Sequence, residues 1–183
     1  MKRIAAAAAL AIAGGCSGDK VDTVGCYPGI PSSSQFLNDP EFANLTYHNG
    51  QQFEIRRGFG YHIWADSKFD YRTGLEYMVA PKPDARSEVD VCAFATALRF
   101  AVPAGEPEKR KLSIFARALA PVLKADPSAF EAQVAAILAS GEKYRLRSGG
   151  HEPLVEAGQL VHPSRGPFFM LKVTWPRPES KGR

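Results

Sequence analysis

The sequence predicts an α+β domain in which an antiparallel sheet packs against a helical hairpin. Three observations carry that expectation. Several short stretches alternate apolar and polar residues and end at Gly, Pro or Asn, as half-buried strands do. Two longer stretches between Pro107 and Gly141 repeat their apolar residues at helical spacing. No internal repeat is present, and the chain after its first fifteen residues is about 165 residues long, enough for one domain with a proper core.

In chain order, Asp39-Pro40-Glu41 is a helix start, with Asp39 as N-cap and proline in the first turn, followed by Phe42 and Leu45. Asn49-Gly50 marks a turn. Phe53 and Ile55 alternate with Glu54 and Arg56, which predicts a strand over 51–57. Tyr61 to Ala65 is the next strand, 66–73 a polar turn, and Gly74 to Ala80 a third strand with Leu75, Tyr77 and Val79 on one face. Pro81 and Pro83 stop it, completing an antiparallel meander.

The segment 89–102 supports two readings. As a strand it places Cys92, Phe94, Leu98, Phe100 and Val102 on one face and small alanines on the other. As a helix it has a partial capping motif in Ser87 and Asp90, and alanine favours helix. Strand is preferred, because Phe100 and Val102 run directly into Pro103.

The helices are plainer. Leu112, Phe115, Ala116 and Leu119 form one apolar face, with Lys109, Arg110 and Arg117 elsewhere on the wheel and Pro121 beyond the end. Asp126-Pro127 starts a second helix carrying Phe130, Val134, Ile137 and Leu138, with Gly141 as its stop. Residues 143–147, 154–161 and 168–175 are later strands, and 176–183 is expected to be a disordered tail.

The beginning of the chain predicts its destination. Lys2 and Arg3 precede an uncharged run from Ile4 to Ala13, then Gly14-Gly15-Cys16. That order is a secretory signal over 1–15, too short to span a bilayer permanently. An ordinary cleaved signal containing a cysteine accounts for the order as well. Ala13-Gly14-Gly15-Cys16 resembles the lipobox of a bacterial lipoprotein precursor, although a leucine usually stands where Ala13 is. The resemblance covers the signal only. It implies that Cys16 is acylated (palmitate among its chains) and becomes the first mature residue. Ser17 follows it where aspartate would resemble an inner-membrane retention signal, which implies the periplasmic face of the outer membrane.

Three cysteines occur, Cys16, Cys26 and Cys92. If Cys16 carries lipid, Cys26 and Cys92 can pair in an oxidising compartment, closing a loop of about 65 residues worth roughly 4 kcal/mol. No CxxC suggests a redox role. Residues 16–34, rich in Gly, Pro and Ser, are expected to be a tether leading into a domain over 35–175. The formal charge is +4, and removing Lys2 and Arg3 leaves 21 basic against 19 acidic residues, too near balance to suggest nucleic acid.

Chemistry concentrates in Phe59-Gly60-Tyr61-His62-Ile63-Trp64-Ala65-Asp66. On a strand, His62, Trp64 and Asp66 share one face while Tyr61 takes the other. A histidine, an indole and a carboxylate together fit a sugar or peptide ligand, so Tyr61, His62, Trp64 and Asp66 are the candidate ligand-binding residues. The alternative, and the favoured one, is a second buried face on which His62 and Trp64 are core residues. The four histidines (His48, His62, His151, His162) lack the spacing of an HExxH site, and neither GxSxG nor a P-loop occurs, so no metal, cofactor or catalytic residue is assigned. Three basic groups, Arg56-Arg57, Lys109-Arg110-Lys111 and Arg145 with Arg147, read as solvated charge or as contacts for anionic lipid or an acidic partner. The resulting expectation is a lipid-anchored, non-catalytic module that binds an envelope protein or glycan. The rivals are an envelope hydrolase acting on peptidoglycan or glycans through His62, Asp66 and Trp64, and an inhibitor or immunity protein.

Overall fold

The structure, a computed structural model, describes residues 22–48, 59–66, 73–83, 90–147 and 153–178. The expected strand over 51–57, the turn at Asn49-Gly50, most of the turn over 66–73, and the signal with Cys16 lie outside the described residues.

Among the described residues seven strands form one antiparallel sheet: β1 (Thr46–His48), β2 (Gly60–Ala65), β3 (Gly74–Pro81), β4 (Val91–Ala101), β5 (Tyr144–Arg147), β6 (Leu154–His162) and β7 (Gly166–Thr174). Their order is β1-β2-β3-β4-β7-β6-β5, so two meanders meet where β4 pairs with β7. The helices are α1 (Ser33–Leu37), a 3-10 turn over Pro40–Phe42, α2 (Glu106–Leu119) and α3 (Pro127–Ser140). The mixed α+β class is therefore as expected. No helix among the described residues is long and apolar enough to cross a membrane.

The local signals act as the sequence implies. The Asp39 carboxylate accepts from the Glu41 amide at 2.9 Å, and the Asp126 carboxylate accepts from the Ala129 amide at 2.9 Å. Gly141 ends α3 in the left-handed region at φ 72°, which a side chain would strain. Within the segment 89–102, Val91–Ala101 is strand β4, because its backbone pairs with β3 on one side and β7 on the other.

Two expectations are corrected. The first concerns the faces of β4. Met78 pairs with Ala95 but Val79 with Ala93, so Phe94 is an extra residue in a β-bulge. The bulge breaks the alternation, and Phe94 joins Ala80 and Ala95 in a small cluster, whereas Leu98 and Phe100 belong to the main core. The second concerns the tether. From Thr23 onward the chain is already packed: Thr23, Ile30, Ser33 and Phe36 are buried. Gly25 bridges Ala93, the Thr23 amide donates to Ser33 Oγ at 2.9 Å, and α1 starts within the stretch assigned to the tether. The apolar Ile30 and Phe36 explain this, since each gains about 1.5–3 kcal/mol on burial. At the other end Pro176 is tied down by the Tyr27 hydroxyl, which donates to its carbonyl at 2.6 Å.

One hydrophobic cluster joins Leu112, Phe115 and Leu119 of α2 and Phe130, Val134 and Ile137 of α3 with Leu98, Phe169, Leu171 and Val155 of the sheet. Cys26 and Cys92 are disulfide-bonded across 66 positions of sequence, which fastens the entering chain to β4.

Candidate functional site

The alternation of β2 places its side chains as the sequence suggests, with His62 and Trp64 buried. His62 faces Tyr77 and Trp64 faces Leu75 across the β2–β3 register, on the face that carries the main core. His62 is only 6% exposed and Trp64 3%. The indole stands edge-on to Tyr77 at 5.9 Å, and Tyr47 of β1 covers both rings, 5.9 Å from His62 and 5.3 Å from Trp64. Such tilted and edge contacts are the preferred geometry of packed aromatic side chains.

His62 Nδ1 lies 2.6 Å from Thr23 Oγ1, a buried hydrogen bond. Burial lowers the imidazole pKa below its ordinary value, so the ring is held neutral near pH 7. Burial also raises the phenols of Tyr47 and Tyr77. The Tyr77 hydroxyl donates to the Pro31 carbonyl at 2.9 Å. A hydroxyl bonded to an imidazole is the arrangement of a nucleophile and its base. Here Thr23 is 3% exposed and His62 6%, so both partners of the hydrogen bond are buried. The pair therefore joins the entering chain to the sheet.

The other two candidates lie elsewhere. Tyr61 is on the opposite face of β2, half-buried, edge-on to Phe59 at 5.6 Å. Asp66 follows the strand end and lines a cavity of about 70 Å³ with Asn44, Arg99, Glu108 and Lys111. Its backbone carbonyl accepts from His48 Nε2 at 3.1 Å. His62 is not among the residues that line this cavity. Thr23, the true partner of His62, was not found from sequence, because nothing local connects residues 39 positions apart.

The basic groups are largely partnered. Lys109 pairs with Glu106 at 2.7 Å, Arg110 with Glu41 at 2.7 Å, and Arg145 with Glu156 at 3.5 Å. Lys111 donates to Asn44 Oδ1 at 3.3 Å. Arg56-Arg57 lie outside the described residues. Among the described residues no three His, Cys, Asp or Glu side chains gather as a metal site would require.

A concavity of about 420 Å³ lies between α2 and α3. Leu112, Ala135, Leu138 and Ala139 give it an apolar floor, and Lys109, Ser113 and Glu131 a polar rim. The rim is ordered: Ser113 Oγ donates to Glu131 Oε1, and Arg117 Nη1 lies 3.4 Å from Glu131 Oε2. An apolar floor with a few convergent polar groups is the usual form of a ligand groove. No signal in the sequence singled it out, since Leu112 and Leu138 read simply as core. Compared with protein-family models, curated proteins and solved structures, the chain matches none.

Proposed function

We propose that the chain is an exported lipoprotein, anchored through acylated Cys16 to the periplasmic face of the outer membrane, whose domain is a non-catalytic binding module. The observation that carries this reading is the pairing of Cys26 with Cys92. It leaves Cys16 as the third cysteine, without a cysteine partner, at the position where the lipobox resemblance puts the acyl group. A disulfide also suits an oxidising compartment. In this reading α2 and α3 form a helical hairpin lying on the sheet, supported by the cluster that joins both helices to β4, β6 and β7. The groove between the helices receives an envelope protein or a glycan, its rim of Lys109, Ser113 and Glu131 fixing the orientation of a partner that covers Ala135, Leu138 and Ala139. Anchorage raises the effective concentration of the module near such partners.

The test has two parts. The N-terminal peptide of the membrane-extracted protein should carry acyl mass on Cys16, and Cys16→Ser should release the protein from the membrane fraction. A photo-crosslinker at Ala135 or Ala139 should capture one dominant envelope component in intact cells, while the same group at Val161, on the β6–β7 hairpin, should not. An unmodified Cys16 rejects the anchor. Equal capture from both positions rejects the groove.

A further inference from the structure

Another apolar concavity lies beside the second half of α2. There the entering chain over 28–36 runs past α2 and the turn that follows it, and together they line an open groove of about 770 Å³. Phe36, Ile114, Ala118 and Val122 give it a hydrocarbon lining, Phe36 being buried and the other three half-buried. Pro28, Pro31 and Pro121 also line it and offer no backbone N–H. The Pro31 carbonyl is already taken by the Tyr77 hydroxyl, and the α2 backbone is bonded within its own helix. The polar side chains of the lining are Gln35 and Lys124, both exposed.

Such a lining selects its ligand by what it lacks. A peptide or a sugar laid in the groove gives up hydrogen bonds to water and finds few replacements, which costs free energy. A hydrocarbon chain gives up none and gains from leaving water. The volume falls within the roughly 300–1,000 Å³ usual for the site of a single ligand.

The position of the chain's beginning names a source for that hydrocarbon. Asp22, the first described residue, stands at the edge of the groove. Its carboxylate accepts from Ser33 Oγ and from the Ser34 amide, each at 3.1 Å, and the next residue, Gln35, belongs to the lining. The Thr23–His62 hydrogen bond and the Cys26–Cys92 disulfide hold the chain there. Cys16 precedes Asp22 by six residues, which an extended chain spans in at most about 22 Å.

From these facts we propose that, away from a membrane, an acyl chain on Cys16 folds back into this groove and lies against Phe36, Ile114, Ala118 and Val122. The proposal rests on the lipid-anchor reading. A bilayer surrounds every methylene of an inserted chain, whereas an open groove covers it on one side, so the chain leaves for the membrane when one is at hand. In water the groove hides hydrocarbon that would otherwise be an exposed apolar patch and promote aggregation. The groove thus keeps the exported protein dispersed until its anchor inserts.

The test uses the mature chain coupled through Cys16, its one cysteine outside the disulfide, to a hexadecyl maleimide carrying a terminal diazirine. The coupled protein is irradiated in dilute buffer without lipid, beside an isotope-labelled uncoupled copy, and the labelled peptides are identified by mass spectrometry. Label should fall on the chain's own residues 28–36 and 114–124, several-fold above residues 132–139 of the other groove. Phosphatidylcholine vesicles should abolish it. Pro28→Glu and Pro121→Glu, at exposed positions of the lining, should each lower it several-fold. Label spread by exposure, gathered on 132–139, or found chiefly on the isotope-labelled copy overturns the proposal, as does groove labelling that neither variant reduces. The acyl mass on Cys16 of the native protein separates the two readings. Its absence removes the anchor and the proposal with it, and its presence with an unlabelled groove removes only the groove contact.

Discussion

His62 decides whether the most chemically suggestive stretch of the chain is a site or a piece of core. The structure buries it, and the expected effect of removing it can be worked out. His62→Ala empties a position that is 6% exposed, packed against Tyr47 and Trp64, and strands the Thr23 hydroxyl. The lost packing and the unpaired hydroxyl together cost about 2–4 kcal/mol. For a domain of this size that lowers Tm by about 4–16 °C. Thr23→Val removes the hydroxyl without changing the volume and costs about 1–3 kcal/mol, the penalty of a buried imidazole nitrogen without its partner. In the double variant the two costs should not add, because they share one hydrogen bond.

The pH dependence gives a second readout. Since burial lowers the folded-state pKa of His62, the unfolded chain binds more protons below its own value of about 6.5. The contribution of neutral His62 is therefore complete above that pH and is lost as pH falls toward the lowered folded value. His62→Leu should flatten the decline in stability between about pH 6.5 and pH 5. Urea denaturation of the four variants at both pH values is the assay. If His62→Ala leaves the denaturation midpoint unchanged while abolishing the protein's activity in cells, His62 is a site residue and the core assignment is wrong.

Three further outcomes follow from the same structure. Replacing Cys26 and Cys92 by alanine opens a closure of 66 residues and should cost roughly 4 kcal/mol, read as a drop in urea midpoint that reducing agent reproduces in the parent protein. Gly158→Ala would put a methyl 2.8 Å from the Glu142 carbonyl oxygen at a φ of 149°, so it should destabilise by about 1–3 kcal/mol in a melting experiment, while Ala157→Gly should cost less. Glu76 and Arg99 form an ion pair at 2.6 Å with side chains only 13% and 14% exposed, so Glu76→Gln should cost about 1–3 kcal/mol with little sensitivity to salt.

Much of the secondary structure was legible, and the reason is local. Leu112, Phe115 and Leu119 recur within α2, Asp126 caps the start of α3, and Gly141 stops α3 about four turns on. Leu75, Tyr77 and Val79 declare their shared face through alternation, and all three are buried. The bulge at Phe94 was not legible. Its cause is the register against Met78 and Val79, which belong to another strand, and it moves Phe94 off the face where alternation from Leu98 had placed it. The Gly, Pro and Ser between residues 16 and 34 suggested a tether throughout, whereas Thr23, Ile30 and Ser33 are buried and bring the chain into the fold from Thr23 onward.

The sequence by itself determined the kinds and ends of the later elements, because propensity, periodicity and capping act over a few residues and need no partner. It also determined that His62 and Trp64 share a face, since strand geometry alone requires it. Only the tertiary structure decided what covers that face. Alternation separates two sides of a strand but does not say which side meets solvent, and here Tyr47, Tyr77 and Thr23 close over it from elsewhere in the chain. The pairing of β4 with β7, which joins the two meanders and brings both terminal segments to one end, likewise depends on contacts some seventy residues apart that no local pattern records.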